Sequence, residues 1–116
     1  MSRPWWHTTS IYQVYPRSFA DSNGDGIGDL NGLTSRLDYL QSLGVRGLWL
    51  MPVTPSADRD HGYATTDFRA IAPEYGSLAD FDDLLRQAHA RGIGVVMDYV
   101  LNHAAAAHPL FMAARQ

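Results

Sequence analysis

Residues 93–101 read IGVVMDYVL and run on into Asn102-His103. The run is almost continuously apolar and rich in β-branched and aromatic residues. It does not alternate apolar with polar residues, as a strand with one wet face would. Such a stretch reads as a strand covered on its faces, the pattern of parallel sheets flanked by helices. Two earlier stretches have the same character. Residues 45–51, VRGLWLM, are closed by Pro52, and residues 11–15, IYQVY, are closed by Pro16. Proline cannot donate to a ladder, so both runs read as strands ending there.

Between the strands lie helical patterns. Leu30, Leu33, Leu37, Leu40 and Leu43 recur at steps of three and four, one face of a helix. Asp29 stands at its N-cap and Gly44 at its C′ position. A second helix has a Ser77–Asp80 capping box and would bury Leu78, Phe81, Leu84, Leu85 and Ala88 before Gly92 stops it. Residues 108–113 open another helix. The order is therefore β-α-β-α-β, an α/β chain built around a parallel sheet. A long loop from Pro52 to Gly76 holds three of the six prolines. Loops of that length inside a compact domain are usually functional.

The 116 residues are 46% apolar and 18% charged, which excludes a disordered class. The net charge of −3 lacks the basic surplus that nucleic-acid binding calls for. No cysteine is present, so thiolate metal sites, disulfides and a cysteine nucleophile are excluded. The N-terminal residues lack the apolar core of a signal peptide, and no run reaches membrane-spanning length. The expectation is a cytoplasmic chain without membrane or nucleic-acid partners. Nucleotide-binding and serine-hydrolase motifs are missing.

Three constellations could carry chemistry. In residues 21–29, DSNGDGIGD, the side-chain oxygens of Asp21, Asn23, Asp25 and Asp29 occupy positions one, three, five and nine. The Ile27 carbonyl at position seven would add another ligand. A hard cation such as calcium takes six to eight oxygens, and this spacing can wrap a chain around one. Gly32 stands where an EF-hand needs its glutamate, which counts against a true EF-hand. A glycine-rich turn held by Asx bonds would also account for the loop. The second constellation is Asp98 with Asn102-His103. A carboxylate and an imidazole at the carboxyl end of a parallel strand sit where such sheets place their sites. The third is Asp60-His61-Gly62-Tyr63, followed by Asp67. A ring beside polar groups suits a sugar, stacking on its apolar face and bonding its hydroxyls. Of the remaining candidates, His7 and His108 read as surface residues. Trp5, Trp6 and Trp49 read as packing, and His89 as a complement to a helix C-terminus.

Taken together, these stretches resemble glycoside hydrolase family 13, the α-amylase family, from Trp6 to about Phe111. Residues 11–19, IYQVYPRSF, look like the family's first strand. Residues 21–30 are similar to the calcium loop of the oligo-1,6-glucosidase and α-glucosidase branch. Residues 98–103 match its region D-x-V-x-N-H. The resemblance implies the N-terminal portion, about β-α-β-α-β, of a (β/α)8 barrel, with residues 1–116 a partial catalytic domain. It implies calcium on Asp21, Asn23, Asp25, Asp29 and the Ile27 carbonyl. Asp98 and His103 would contact the glucosyl unit at the cleavage point. Tyr63 would stack on that sugar and Asp60 would hold its outer hydroxyls, while Asn102 would brace its loop.

One departure concerns specificity. The glucosidase branch has N-G-Y-D where this chain has His61-Gly62-Tyr63-Ala64. That leaves α-1,4, α-1,6, sucrose-like and trehalose-type substrates all open. A second concerns catalysis. Retaining enzymes need two carboxyl groups about 5–5.5 Å apart. The family's nucleophile Asp and acid/base Glu belong to later strands, and Glu74, the only glutamate, lies in a pre-helix turn. The expected partner is an α-glucoside or α-glucan oligosaccharide, processed by hydrolysis or transglycosylation in a longer parent, the 116 residues alone being inactive. Two rival readings are a non-catalytic, transporter-associated barrel relative and a free-standing calcium-binding domain.

Overall fold

A computed structural model describes residues 3–57 and 60–115. Three short strands, β1 (Ile11–Val14), β2 (Gly47–Leu50) and β3 (Gly94–Met97), form one parallel sheet in the order β1-β2-β3. The register pairs Val14 with Leu50 and Leu50 with Met97. Each strand is shorter than its apolar run. The third run, expected to stay in the sheet to Leu101, leaves it after Met97, and Leu101 is 80% exposed. The ladder reaches one residue further through the Asp98 amide, which donates to the Leu50 carbonyl at 2.8 Å. Asp98 therefore stands at the carboxyl end of β3, not inside an apolar strand.

Alternation along each strand separates two faces. Val14, Leu48 and Leu50 point into a core shared with Leu30, Leu33, Leu37, Leu40, Leu84, Ala88 and Ile93. The other face carries Ile11, Gln13, Trp49 and Val96, all exposed. At the amino end of that face the Trp5 ring lies against Gly47 and Gly94, where a Cβ would come within 2.8 Å of it. Trp5 is thus a packing residue, as expected. Trp49 at 42% and Trp6 at 55% exposure are not.

The leucine face expected to make one helix is split in two. Leu30–Ser35 forms α2 and Leu37–Ser42 forms α3, separated by Arg36 at φ −103°, ψ 5°. (Pro16–Phe19, α1, is a single turn that begins at the proline.) Leu30, Leu33, Leu37 and Leu40 are fully buried, each worth roughly 1.5–3 kcal/mol of transfer free energy. Leu43, the last of the series, is exposed. Asp29 does cap α2, its Oδ1 accepting from the Gly32 amide at 2.7 Å.

Helix α4 (Leu78–Ala90) has the expected capping box. The Ser77 hydroxyl accepts from the Asp80 amide, and the Asp80 carboxylate accepts from the Ser77 amide. Leu84 and Ala88 face the core, but Leu78 at the first helical position is 57% exposed. Helix α5 (Pro109–Ala114) is capped by His108, whose Nδ1 accepts from the Leu110 amide. His108 is 6% exposed, its ring tilted against the Phe68 ring with centroids 5.2 Å apart, so it is a buried cap and not a surface residue.

Two glycines let the chain fold back on itself below β1. Gly28 and Gly32 lie against the carbonyl oxygens of Pro16 and Ala20, each 2.0 Å from where a Cβ would stand. The Gly28 and Asp29 amides donate to the Arg17 and Ala20 carbonyls at 2.7 and 2.9 Å. This seam joins the 21–29 loop to α1, the turn that follows β1.

Candidate active site

The carboxyl ends of the strands and the 52–76 loop bring three of the expected residues onto the fourth. Tyr63 is the hub. Its phenol donates to Asp98 Oδ2 at 2.6 Å. Its carbonyl lies 2.8 Å from His103 Nε2, which requires that nitrogen to carry the proton. Its amide donates to Asp60 Oδ1 at 3.0 Å, and the same oxygen accepts from the Ala64 amide and, at 3.4 Å, the Ser56 hydroxyl. Asp60 thus closes the turn that carries Tyr63. His61 and Gly62, the middle of that turn, both have positive φ, 67° and 95°. A left-handed backbone is routine for glycine but costs a histidine energy, and such residues collect at functional sites.

The bond to Asp98, together with some burial and the carboxylate's charge, pushes the Tyr63 phenol up to about 12. The phenol is therefore a protonated donor throughout the neutral range. Asp98 and Tyr63 are half-buried, and His103 is exposed. The neighbouring Tyr99 is anchored through its hydroxyl to the Phe68 carbonyl at 2.7 Å, fixing the segment just past Asp98. The Ser56, Tyr99 and Phe68 contributions had no sequence signal, because each depends on a partner several or many positions away.

In the 21–29 loop the side-chain oxygens accept amides of the loop itself. Asp21 takes the Gly26, Gly24 and Asn23 amides. These bonds, Gly26's the strongest, hold its carboxyl below the usual carboxylate range. Asn23 takes the Asp25 amide and Asp25 the Ile27 amide. Gly24 and Gly26 supply the positive φ this winding needs, with open space around both. Asp29 is turned inward: besides capping α2, its Oδ2 accepts from the Ser22 amide. Among the described residues, no three acidic or imidazole groups lie close enough together to enclose a metal ion. No helix among them is long and apolar enough to cross a membrane.

Glu74 stands apart from the Tyr63 hub, 3.8 Å from the Arg17 guanidinium, and both side chains are exposed.

Comparison with known proteins extends this picture. The family model for the alpha amylase catalytic domain matches residues 13–116. The chain is 52% identical over 116 residues to a glucan 1,6-alpha-glucosidase of Streptococcus dysgalactiae subsp. equisimilis, covering all of this chain and 22% of that protein. Among solved structures it is similar to Bacillus licheniformis trehalose-6-phosphate hydrolase, with TM-score 0.93 and 45% identity over 97% of this chain and 20% of that one. A variant of the trehalulose synthase MutB, solved with sucrose, gives TM-score 0.95 and 45% identity over 99% of this chain and 21% of that one. The chain spans about a fifth of the length of these relatives. Its three-stranded parallel sheet with flanking helices corresponds to the N-terminal part of their barrel. The chain belongs to the alpha-amylase family of glycoside hydrolases, family 13.

Proposed function

We propose that residues 1–116 are the N-terminal portion of a (β/α)8 enzyme that transfers or hydrolyses an α-glucosyl unit by a retaining mechanism. The observation that carries this reading is the Tyr63 hub. One residue draws Asp98, His103 and Asp60 together at the carboxyl end of the sheet, where barrel enzymes place their sites. The names of the relatives agree in pointing to α-glucosides. Asp98 and Asp60 supply carboxylate acceptors for sugar hydroxyls, His103 an imidazole, and Tyr63 a ring to stack on the sugar's apolar face. The nucleophile and the acid/base belong to parts of the polypeptide outside these residues, so this portion shapes one wall of the pocket and is inactive alone.

Calcium belongs to the same proposal. Asp21, Asn23, Asp25, Asp29 and the Ile27 carbonyl would hold it. The donors are all oxygens, the ligand type a hard cation takes, and binding one would require the loop to exchange its amide bonds and draw Asp21, Asp25 and Asp29 together, since they do not converge as the loop stands. The ion would neutralise three aspartates and stiffen the loop sewn to α1, just past β1.

The test compares the 116-residue chain with the polypeptide extended through its downstream reading frame. The extended form should release p-nitrophenol from p-nitrophenyl α-glucoside, and Asp98→Asn should lower its kcat/KM by at least about 100-fold, the effect of losing charge-assisted bonds at the reacting sugar. Turnover by the 116-residue chain, or no α-glucoside turnover by the extended one, would refute the proposal.

A further inference from the structure

Asparagine is followed by glycine at two places, Asn23-Gly24 and Asn31-Gly32. Such a pair can react with itself. The glycine amide nitrogen attacks Cγ of the asparagine, and the side-chain nitrogen leaves as ammonia, taking the proton of that amide. A succinimide ring closes. Water then opens the ring at one carbonyl or the other, giving aspartate or isoaspartate, with no oxidant or further reagent. Glycine favours the closure because it has no Cβ to crowd the ring and turns freely about its backbone. We infer that Asn23 is a site of self-modification in the folded protein, that Asn31 is not, and that Asp21 restrains the reaction. This chemistry is independent of the proposed activity.

The surroundings of the two glycines separate the pairs. Asn23 and Gly24 are exposed in the 21–29 loop, and nothing lies within 4 Å of where a Gly24 Cβ would stand. The backbone there can turn its nitrogen toward Cγ without pushing on a neighbour. Gly32 is buried in α2, and its backbone lies against the Ala20 carbonyl. Its amide donates to Asp29 Oδ1 at 2.7 Å, and the Asn31 side-chain nitrogen donates to Asp80 Oδ1 at 3.2 Å. Closing a ring at Asn31 would break the cap of α2 and open the seam with α1. At Asn23 the obstacle is smaller and local. Asp21 Oδ1 accepts the Gly24 amide at 2.8 Å and the Asn23 amide at 3.0 Å. The attacking nitrogen must leave that carboxylate before it can reach Cγ. The Asn23 side-chain oxygen, in turn, accepts the Asp25 amide at 3.1 Å. The reaction therefore waits on an opening of an exposed loop, the kind of segment that opens most readily. Its products alter the loop. Aspartate adds a carboxylate to Asp21, Asp25 and Asp29, and isoaspartate lengthens the main chain by one carbon between Asp21 and Asp25.

The experiment incubates the chain at neutral pH with a chelator, so that no cation holds the loop, both folded and in urea. Trypsin cuts after Arg17 and Arg36, and the peptide 18–36 carries both asparagines. Its fragmentation in a mass spectrometer reports each conversion separately, and labelling by isoaspartyl methyltransferase reports the isoaspartate. In the folded chain Asn23 should convert at least about tenfold faster than Asn31, whose reaction must also break a buried cap bond. In urea the two should convert at similar rates, both faster than folded Asn23. Asp21→Ala should speed Asn23 about tenfold in the folded chain, the effect of losing a charge-assisted hydrogen bond, and leave Asn31 unchanged. Circular dichroism checks that Asp21→Ala is folded; if it is not, the two asparagines of the unsubstituted chain decide. The inference is overturned if Asn31 keeps pace with Asn23 in the folded chain. It is equally overturned if folded Asn23 stays intact while the urea-unfolded chain converts, or if folded Asp21→Ala converts Asn23 no faster.

Discussion

Replacing Tyr63 with phenylalanine removes one oxygen and keeps the ring. The lost group is the donor of the 2.6 Å bond to Asp98. A bond between a hydroxyl and a carboxylate contributes about 1.5–3 kcal/mol when well buried. Both partners here are half-buried, so solvent competes and about 1–2 kcal/mol is expected. The pH dependence has a definite sign. The folded phenol is raised to about 12 from an ordinary value of 10, so folding favours the protonated form. Its contribution is therefore complete below pH 10 and is lost as pH rises through about 12. Urea unfolding at neutral pH should show Tyr63→Phe less stable by that amount, with the gap closing in the alkaline range. Phenolate absorbance supplies the second readout. The tyrosine that titrates near pH 12 should vanish in Tyr63→Phe and return toward 10 in Asp98→Asn. If both variants leave the alkaline titration unchanged, the hub does not exist as described.

Gly32→Ala opposes two principles in one measurement. Alanine at a helical glycine ordinarily adds about 0.5–1 kcal/mol of stability. Here the new Cβ would stand 2.0 Å from the Ala20 carbonyl oxygen, so thermal unfolding should instead show a loss of about 3 kcal/mol or more. A stabilised Gly32→Ala would deny the close seam. For calcium, chelator treatment should lower the Tm of the parent protein, and Asp25→Ala should abolish both that response and calorimetric calcium binding. An Asp25→Ala variant with undiminished calcium affinity would remove the loop from the account.

What the sequence reveals of this fold is what local rules control. The caps at Asp29 and Ser77 are legible because an oxygen side chain and the amide three residues on are fixed by helix geometry alone. The buried faces of Leu30, Leu33, Leu37 and Leu40 follow from period. The break at Arg36 does not, because the four leucines stay on one side whether or not the helix bends there. The end of β3 is hidden for a similar reason: Val100 is buried after the strand has finished, so hydropathy does not change at the boundary. The burial of His108 and the exposure of Leu78 are not legible in the sequence because they depend on distant neighbours, Phe68 in one case and the lack of any cover in the other. In the site, Asp60, Tyr63, Asp98 and His103 come together as a set. That Tyr63 is the member touching all the others is a fact of the folded loop, and nothing in their spacing states it.

The exposed side of the sheet has a practical consequence for following this polypeptide as it matures. Trp49 projects from the central strand between Gln13 and Val96, 42% accessible, while Trp5 is lodged against Gly47 and Gly94 on the same side. Indole emission shifts to shorter wavelength when water leaves the ring. Any further strands that arrive to close this side would dry Trp49 and leave Trp5 where it is. With Trp6 and any tryptophan outside these 116 residues replaced by phenylalanine, the colour of the remaining emission follows barrel closure during synthesis or refolding without an attached dye.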